Sequence, residues 1–220
     1  EWAQAHLVLG RALRATGKYN EALEEYKAAA AIDPNFENTF ALGTAYLWIP
    51  DTKSAARQFE TLIARFGDTA ELRMKLGRAY GESGYPEQAI QEFKSALAKD
   101  NKLPGAHYSL GASYVSNSGP RAYTEAATAF HHALALQTPD YFSYSQLGLI
   151  ALERRNSREA ESDLKRAAAL DPTNPDNYLS LGELYSNINR PTDAERALRK
   201  AIALTTDPSR NHFAVQRAHY

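Results

Sequence analysis

The sequence predicts an all-α protein built as an array of stacked helix–turn–helix repeats. A Leu-Gly pair recurs along the chain, and successive Leu residues of the pair are 33, 34, 34, 37 and 34 positions apart. The pairs are Leu9-Gly10, Leu42-Gly43, Leu76-Gly77, Leu110-Gly111, Leu147-Gly148 and Leu181-Gly182. A fixed period of about 20–50 residues is typical of an array of one supersecondary unit, which buries its apolar face only against its neighbours.

Small and large residues alternate at fixed distances after each pair. An Ala returns in every unit, at Ala22, Ala55, Ala89, Ala126, Ala160 and Ala194. Four residues beyond it stands Tyr26, Phe59, Phe93, Phe130, Leu164 or Leu198. Because Gly inside a helix costs about 1 kcal/mol relative to Ala, six such glycines require a reason. We expect a neighbouring helix to approach closely at each Gly and each Ala, with the large side chain filling the space between layers.

Capping and breaking residues predict the helix bounds in order. Pro34 ends the second helix, because the residue before a proline disfavours helical angles. Asp51 caps the fourth helix, Asp68 with Glu71 resembles a capping box before the fifth, and Pro86 opens the sixth. The predicted helices are 2–15, 19–32, 36–49, 52–65, 69–82, 86–99, 104–116, 122–137, 140–154, 157–170, 175–188 and 191–204.

Two segments depart from the regular period. The fourth unit holds three extra residues, which we place in a loop at 116–123. A surface insertion costs little, so this loop is either a tolerated extension or the edge of a binding groove. Residues 209–220 form either a capping helix or a truncated seventh repeat, with Phe213, Val215 and Ala218 covering the sixth unit. An uncovered end of the array would promote self-association.

The recurring Leu-Gly, Tyr, Ala, Phe and Pro pattern resembles the tetratricopeptide repeat family. The resemblance implies a right-handed superhelical α-solenoid, in which the first helices of the repeats line a concave groove that binds partner proteins. It places six repeats at about 3–35, 36–69, 70–103, 104–140, 141–174 and 175–208, followed by the segment 209–220.

Neither the composition nor any sequence motif indicates a catalytic, metal-binding or phosphate-binding site. The chain has no cysteine and a net charge of −1, which excludes disulfides and thiolate metal sites and does not favour a polyanionic partner. No phosphate-binding glycine loop or HExxH motif occurs, and no apolar run reaches the roughly 18 residues of a membrane helix. The adjacent His131 and His132 point about 100° apart on a helix, so they do not chelate together. We therefore expect no catalysis, no cofactor, no metal, no nucleic acid and no membrane.

The groove residues follow from helix geometry and the family resemblance together. At about 100° per residue, positions −5, −2, +2 and +5 around each Leu lie opposite its packed side, with +6 at the margin. The resemblance assigns that side to the groove. Its candidate partner-binding residues are Phe40, Thr44, Trp48, Met74, Arg78, Tyr108, Phe142, Leu149 and Glu183.

These positions predict a non-catalytic scaffold that binds a peptide or helical segment with apolar anchors. The first predicted helix begins at the second residue, so we expect the chain to be a fragment of a longer protein. One alternative is therefore the repeat region of a larger enzyme, such as a glycosyltransferase. A second alternative, an RNA-binding helical repeat, expects a basic groove, which the pI near 6.7 does not favour.

Overall fold

The computed structural model describes residues 2–117, 120–136 and 140–205, and the all-α prediction is confirmed throughout them. The elements are α1 (Trp2–Ala15), α2 (Tyr19–Ile32), α3 (Phe36–Trp48), α4 (Thr52–Phe66), α5 (Ala70–Glu82), α6 (Pro86–Lys99), α7 (Ala106–Ser116), α8 (Pro120–Leu136), α9 (Tyr141–Glu153), α10 (Ser157–Leu170), α11 (Pro175–Asn187) and α12 (Pro191–Thr205). The predicted segment 209–220 lies outside the described residues.

The chain forms two compact units, Glu1–Asn117 and Ser118–Tyr220. In the first unit, α1 pairs with α2, α3 with α4 and α5 with α6, and α7 packs on α6. In the second, α9 pairs with α10 and α11 with α12, while α8 packs on α9. The boundary between the units falls inside the predicted fourth repeat, so the division into six repeats stays a prediction.

Close helix contacts explain the recurring glycines. A Cβ added at Gly77 would lie 2.6 Å from the ring of Phe93, which is 2% exposed. A Cβ at Gly148 would lie 2.6 Å from Leu164 Cγ and 3.2 Å from the Leu164 backbone nitrogen. Gly10, Gly43 and Gly182 meet the large residue of the second helix in the same way. The recurring Ala residues are likewise buried in every unit.

The helix ends confirm one predicted cap and correct another. Asp51 accepts a hydrogen bond from the Ser54 amide at 3.0 Å, as expected. The capping box at Asp68 is wrong, because Thr69 Oγ1 accepts the bond from the Leu72 amide instead. The loop expected at 116–123 is also shorter than predicted, since α8 begins at Pro120. Proline is well suited to a first helical position, where the missing N–H would have no partner.

Side-chain pairs that join the two helices of a hairpin were not predicted from the sequence. His6 Nδ1 lies 2.6 Å from Glu25 Oε2, and Arg73 Nη1 donates to Glu92 Oε2 at 3.0 Å. Both pairs join the residue three before the Leu to the residue 19 positions later, on the second helix. The constant separation was the signal that could have revealed them.

Candidate partner-binding surface

The first helices of unit Glu1–Asn117 form a layer in which α1 contacts α3, α3 contacts α5 and α5 contacts α7. We call these four helices the first-helix layer. An ion pair crosses it, with Arg11 Nη2 at 2.5 Å from Glu37 Oε1. Since Arg11 and Glu37 occupy predicted groove positions, the pair shows that groove positions of adjacent first helices lie side by side.

Met74 is not on the exposed face of this layer. Its side chain is only 6% exposed, and its terminal methyl group lies 3.6 Å from where a Cβ on Gly105 would stand. Leu7, at the same position in α1, is fully buried. Leu179 holds that position in α11 and is 45% exposed. Position −2 is therefore buried at Leu7 and Met74 but only half-buried at Phe40 and Tyr108, a difference that the helical period alone could not show.

Trp48 is half-buried between neighbouring repeats. Its ring centroid lies 6.1 Å from that of Tyr19 and 5.9 Å from that of Tyr26. The Arg14 guanidinium carbon stands 5.1 Å from the centroid of the Trp48 ring. Burial raises the pKa of Tyr26, and the charges of Arg14 and Arg11 partly oppose this rise. The indole is thus mainly a packing group, with a cation beside it at the margin of the layer.

Phe40 and Thr44 are half-buried members of α3. The Phe40 ring stacks on Phe36 at 5.9 Å between centroids and lies 6.1 Å from Phe59. The Thr44 hydroxyl donates to the Phe40 carbonyl oxygen at 2.9 Å, within its own helix. Tyr108, on α7, is also half-buried. These residues are therefore only partly exposed, and none of them is a fully exposed apolar anchor for a partner.

Arg78 is the exposed residue of the predicted set in this unit. Its guanidinium nitrogen Nη2 lies 3.8 Å from where a Cβ on Gly105 would stand. Among the residues that the structure describes, Arg78 makes no ion pair or hydrogen bond. Arg14 is likewise exposed and has no carboxylate partner there. The first-helix layer therefore presents two arginines that pair with no carboxylate of the described residues.

The remaining predicted residues lie in unit Ser118–Tyr220. Phe142 is half-buried, with its ring centroid 6.5 Å from that of Phe130. Leu149 on α9 is half-buried, and Glu183 on α11 is exposed. Helices α9 and α11, which carry these residues, contact each other.

The large pKa shifts of Asp68 and Tyr80 arise from contacts and burial within the stacked helices. Hydrogen bonds from Arg73 and Lys99 lower the pKa of Asp68 to about 2, and burial raises the pKa of Tyr80 to about 12. No group of three or more His, Cys, Asp or Glu suited to a metal occurs among the described residues. None of the helices in those ranges has the length and apolar character that crossing a membrane requires.

Comparisons with known proteins agree on one repeat type. Family models of the tetratricopeptide repeat match residues 40–104, 74–141 and 151–216, and a model described as the TPR repeat matches residues 10–47. DnaJ homolog subfamily C member 3 of Mus musculus is 23% identical over 220 residues, which cover 94% of this chain and 44% of that protein. The chain thus spans less than half the length of this curated relative.

Solved structures share the fold at low sequence identity. A tetratricopeptide repeat protein from Parabacteroides merdae ATCC 43184 superposes with a TM-score of 0.66 and 18% identity, covering 94% of this chain and 80% of that one. MamA from Desulfovibrio magneticus RS-1 superposes with a TM-score of 0.65 and 18% identity, covering 76% and 93%. At this identity the likeness shows the α-solenoid fold alone.

Proposed function

Because the chain belongs to the tetratricopeptide repeat family, we propose that it is a non-catalytic scaffold whose first-helix layer binds a segment of a partner protein. Tetratricopeptide repeats are in general protein–protein interaction scaffolds. The observation behind the proposal is the pair of exposed arginines, Arg14 and Arg78, on that layer. Neither side chain has an acidic partner among the described residues, so the fold does not account for their charge.

The chemistry of the layer favours a peptide that carries carboxylates beside apolar side chains. Arg14 lies on α1 and Arg78 on α5, and α3 between them presents the half-buried Trp48 and Thr44. A guanidinium binds a carboxylate through two parallel hydrogen bonds, which gives geometric specificity. An aromatic side chain beside such a contact excludes water and strengthens it. We infer an extended or helical partner segment with acidic residues near Arg14 and Arg78.

The other candidate residues take secondary roles in this proposal. Phe40 and Tyr108 supply half-buried aromatic area on the same layer, and the buried Met74 supports the layer from within. Phe142, Leu149 and Glu183 belong to the second unit, where they form a separate candidate contact surface.

A peptide library displayed on phage tests the proposal without a known partner. Peptides selected on the parent chain should contain Asp or Glu beside an apolar residue. Arg78→Ala should then weaken their binding at least about tenfold, which is roughly 1.4 kcal/mol. The loss should shrink as salt rises, because exposed charges are screened.

Arg57→Ala is the matched control. Arg57 is exposed on α4, a second helix of the same unit, and its bonds within the described residues go to Lys53 and Ser54 of its own helix. Its loss should leave peptide binding unchanged. Selected peptides that bind Arg14→Ala and Arg78→Ala variants as tightly as the parent would show that the partner uses another surface.

A further inference from the structure

A cavity of about 290 Å³ lies between the paired helices α11 and α12. Among the residues that line it, Leu181, Tyr185 and Ala197 are buried, whereas Tyr178 is half-buried and Lys200 is exposed. The cavity therefore combines an apolar interior with a cation at its margin. It belongs to unit Ser118–Tyr220 and shares no residue with the first-helix layer.

The position of Ala197 carries an acidic residue in three other hairpins. Glu25 on α2, Glu92 on α6 and Asp163 on α10 stand, like Ala197, three residues after the recurring Ala of their helix. Glu25 and Glu92 each pair with a basic residue of the first helix of their hairpin. Ala197 therefore leaves space at a position where these hairpins hold a carboxylate.

The α9–α10 hairpin shows what surrounds such a carboxylate. Asp163 is only 8% exposed. Burial raises the pKa of Asp163, and the charge of Arg166 partly opposes this rise. The Arg166 guanidinium carbon lies 5.4 Å from the centroid of the Tyr144 ring. The buried carboxylate thus lies near a cation that also contacts a tyrosine ring.

The α11–α12 hairpin keeps the tyrosine and the cation without the carboxylate. Tyr178 and Lys200 stand 34 residues after Tyr144 and Arg166. Lys200 Nζ lies 5.7 Å from the centroid of the Tyr178 ring, and within the described part of the chain it makes no ion pair. This hairpin therefore lacks, beside Lys200, the negative charge that Asp163 supplies near Arg166.

The other charged residues that line the cavity do not supply that charge. Arg196 pairs with Asp193 at 2.6 Å, and Asp193 also pairs with Arg190 at 2.5 Å. One lining carboxylate is thus shared by two guanidinium groups, while Lys200 remains beside them. The charge around the cavity favours an anion.

We propose that this cavity binds a small organic acid whose carboxylate pairs with Lys200 and whose apolar body packs on Leu181 and Ala197. The rings of Tyr178 and Tyr185 supply the aromatic contact. Ligand sites are commonly about 300–1,000 Å³, so a cavity at the lower end of this range suits a single ring that carries an acid. The partner-binding surface proposed above lies on other helices, so either proposal can fail without the other.

Titrations followed by nuclear magnetic resonance test the site in the 220-residue chain, with benzoate, phenylacetate and hydrocinnamate as probes. At least one of these acids should shift the backbone amide signals of residues 178–185 and 193–200. The neutral amide of that acid has nearly the same shape and lacks the charge, so it should bind at least about tenfold more weakly. The difference should shrink as salt rises, because the cation is exposed.

Two substitutions separate the charge from the space. Lys200→Met removes the charge and keeps a long side chain, so it should weaken binding of the acid at least about tenfold and leave binding of the amide unchanged. Ala197→Asp places a carboxylate where Asp163 stands in α10, so it should abolish binding of the acid. Arg199→Met is the matched control, because Arg199 is exposed on α12, does not line the cavity and pairs with Glu195.

Circular dichroism should show parental helicity for Lys200→Met and Arg199→Met, since both side chains are exposed. The absence of a shift at these amides with every one of the acids would refute the site. Equal affinity for the acid and its amide, or binding that Lys200→Met leaves intact, would refute the role of the cation. Tighter binding of a capped dipeptide of glutamate and phenylalanine than of the free acids would overturn the small-molecule ligand in favour of an acidic side chain of a partner.

Discussion

Two glycines of α5 permit a controlled test of why glycine recurs in this chain. A Cβ on Gly77 would lie 2.6 Å from the Phe93 ring, which is buried and cannot move away freely. A Cβ on Gly81, one turn later, would meet only the Ala89 Cβ at 3.7 Å, an ordinary contact. Replacing either glycine by Ala raises helix propensity by about 1 kcal/mol. Only Gly77→Ala adds an overpacking cost, of about 1–3 kcal/mol.

The gain in helix propensity is common to both variants. The difference between their free energies of unfolding therefore isolates the effect of the contact with Phe93. Gly81→Ala should raise the free energy of unfolding by about 1 kcal/mol. Gly77→Ala should be about 1–3 kcal/mol less stable than Gly81→Ala. Urea unfolding, followed by the helical signal in circular dichroism, measures both midpoints. Equal stabilisation by the two substitutions would refute close approach as the reason for the Leu-Gly pair.

Three further predictions concern stability. Hydrogen bonds from Arg73 and then Lys99 lower the pKa of Asp68 to about 2. The ionised Asp68 therefore stabilises the fold fully above its ordinary pKa, and this stabilisation is lost as pH falls towards 2. In an acid titration followed by circular dichroism, the stability of Asp68→Asn should decrease less with falling pH than that of the parent. Both amide atoms of Asn177 are buried without a hydrogen bond, whereas Asn38, at the same repeat position, donates to the Asp33 carbonyl at 2.7 Å. Asn177→Leu should therefore stabilise by about 1–3 kcal/mol in urea unfolding while Asn38→Leu does not. Ala126→Leu should overpack a fully buried position and cost about 1–3 kcal/mol in the same assay.

Much of the fold could be predicted from the sequence because stacking imposes the same contact in every repeat. The Gly of each pair, the recurring Ala and the large residue four positions later are parts of one contact. The contact recurs at Gly10, Gly43, Gly77, Gly148 and Gly182, and this recurrence reveals a period that a single copy would not. Helix bounds followed from local chemistry, as the Asp51 cap shows. Asp68 was misassigned because Thr69 competes for the cap, and the partners that hold Asp68 include Lys99, 31 residues away.

The candidate surface was harder to predict, because helical periodicity places residues around one helix but does not locate the neighbouring helices. Met74 and Arg78 stand two residues before and two residues after Leu76, so the helical period places both away from the packed side of α5. Met74 is nevertheless buried, whereas Arg78 is exposed. Both side chains lie near Gly105, which directly precedes α7, and this inter-repeat contact has no local signature in α5. Aromatic residues were similarly ambiguous, since Trp48 fills space against Tyr26.

The proposed binding surface rests on exposed charge on the first-helix layer rather than on its aromatic content. A large apolar side chain on a first helix has an internal use, because every junction between repeats must bury apolar area. Trp48 and Phe40 are each accounted for by ring contacts within the array. An exposed guanidinium has no such use when the fold supplies no carboxylate for it. The proposed partner-binding face therefore rests on Arg78 and Arg14 together with their place on the first-helix layer, and the acidic chemistry proposed for the partner follows from them.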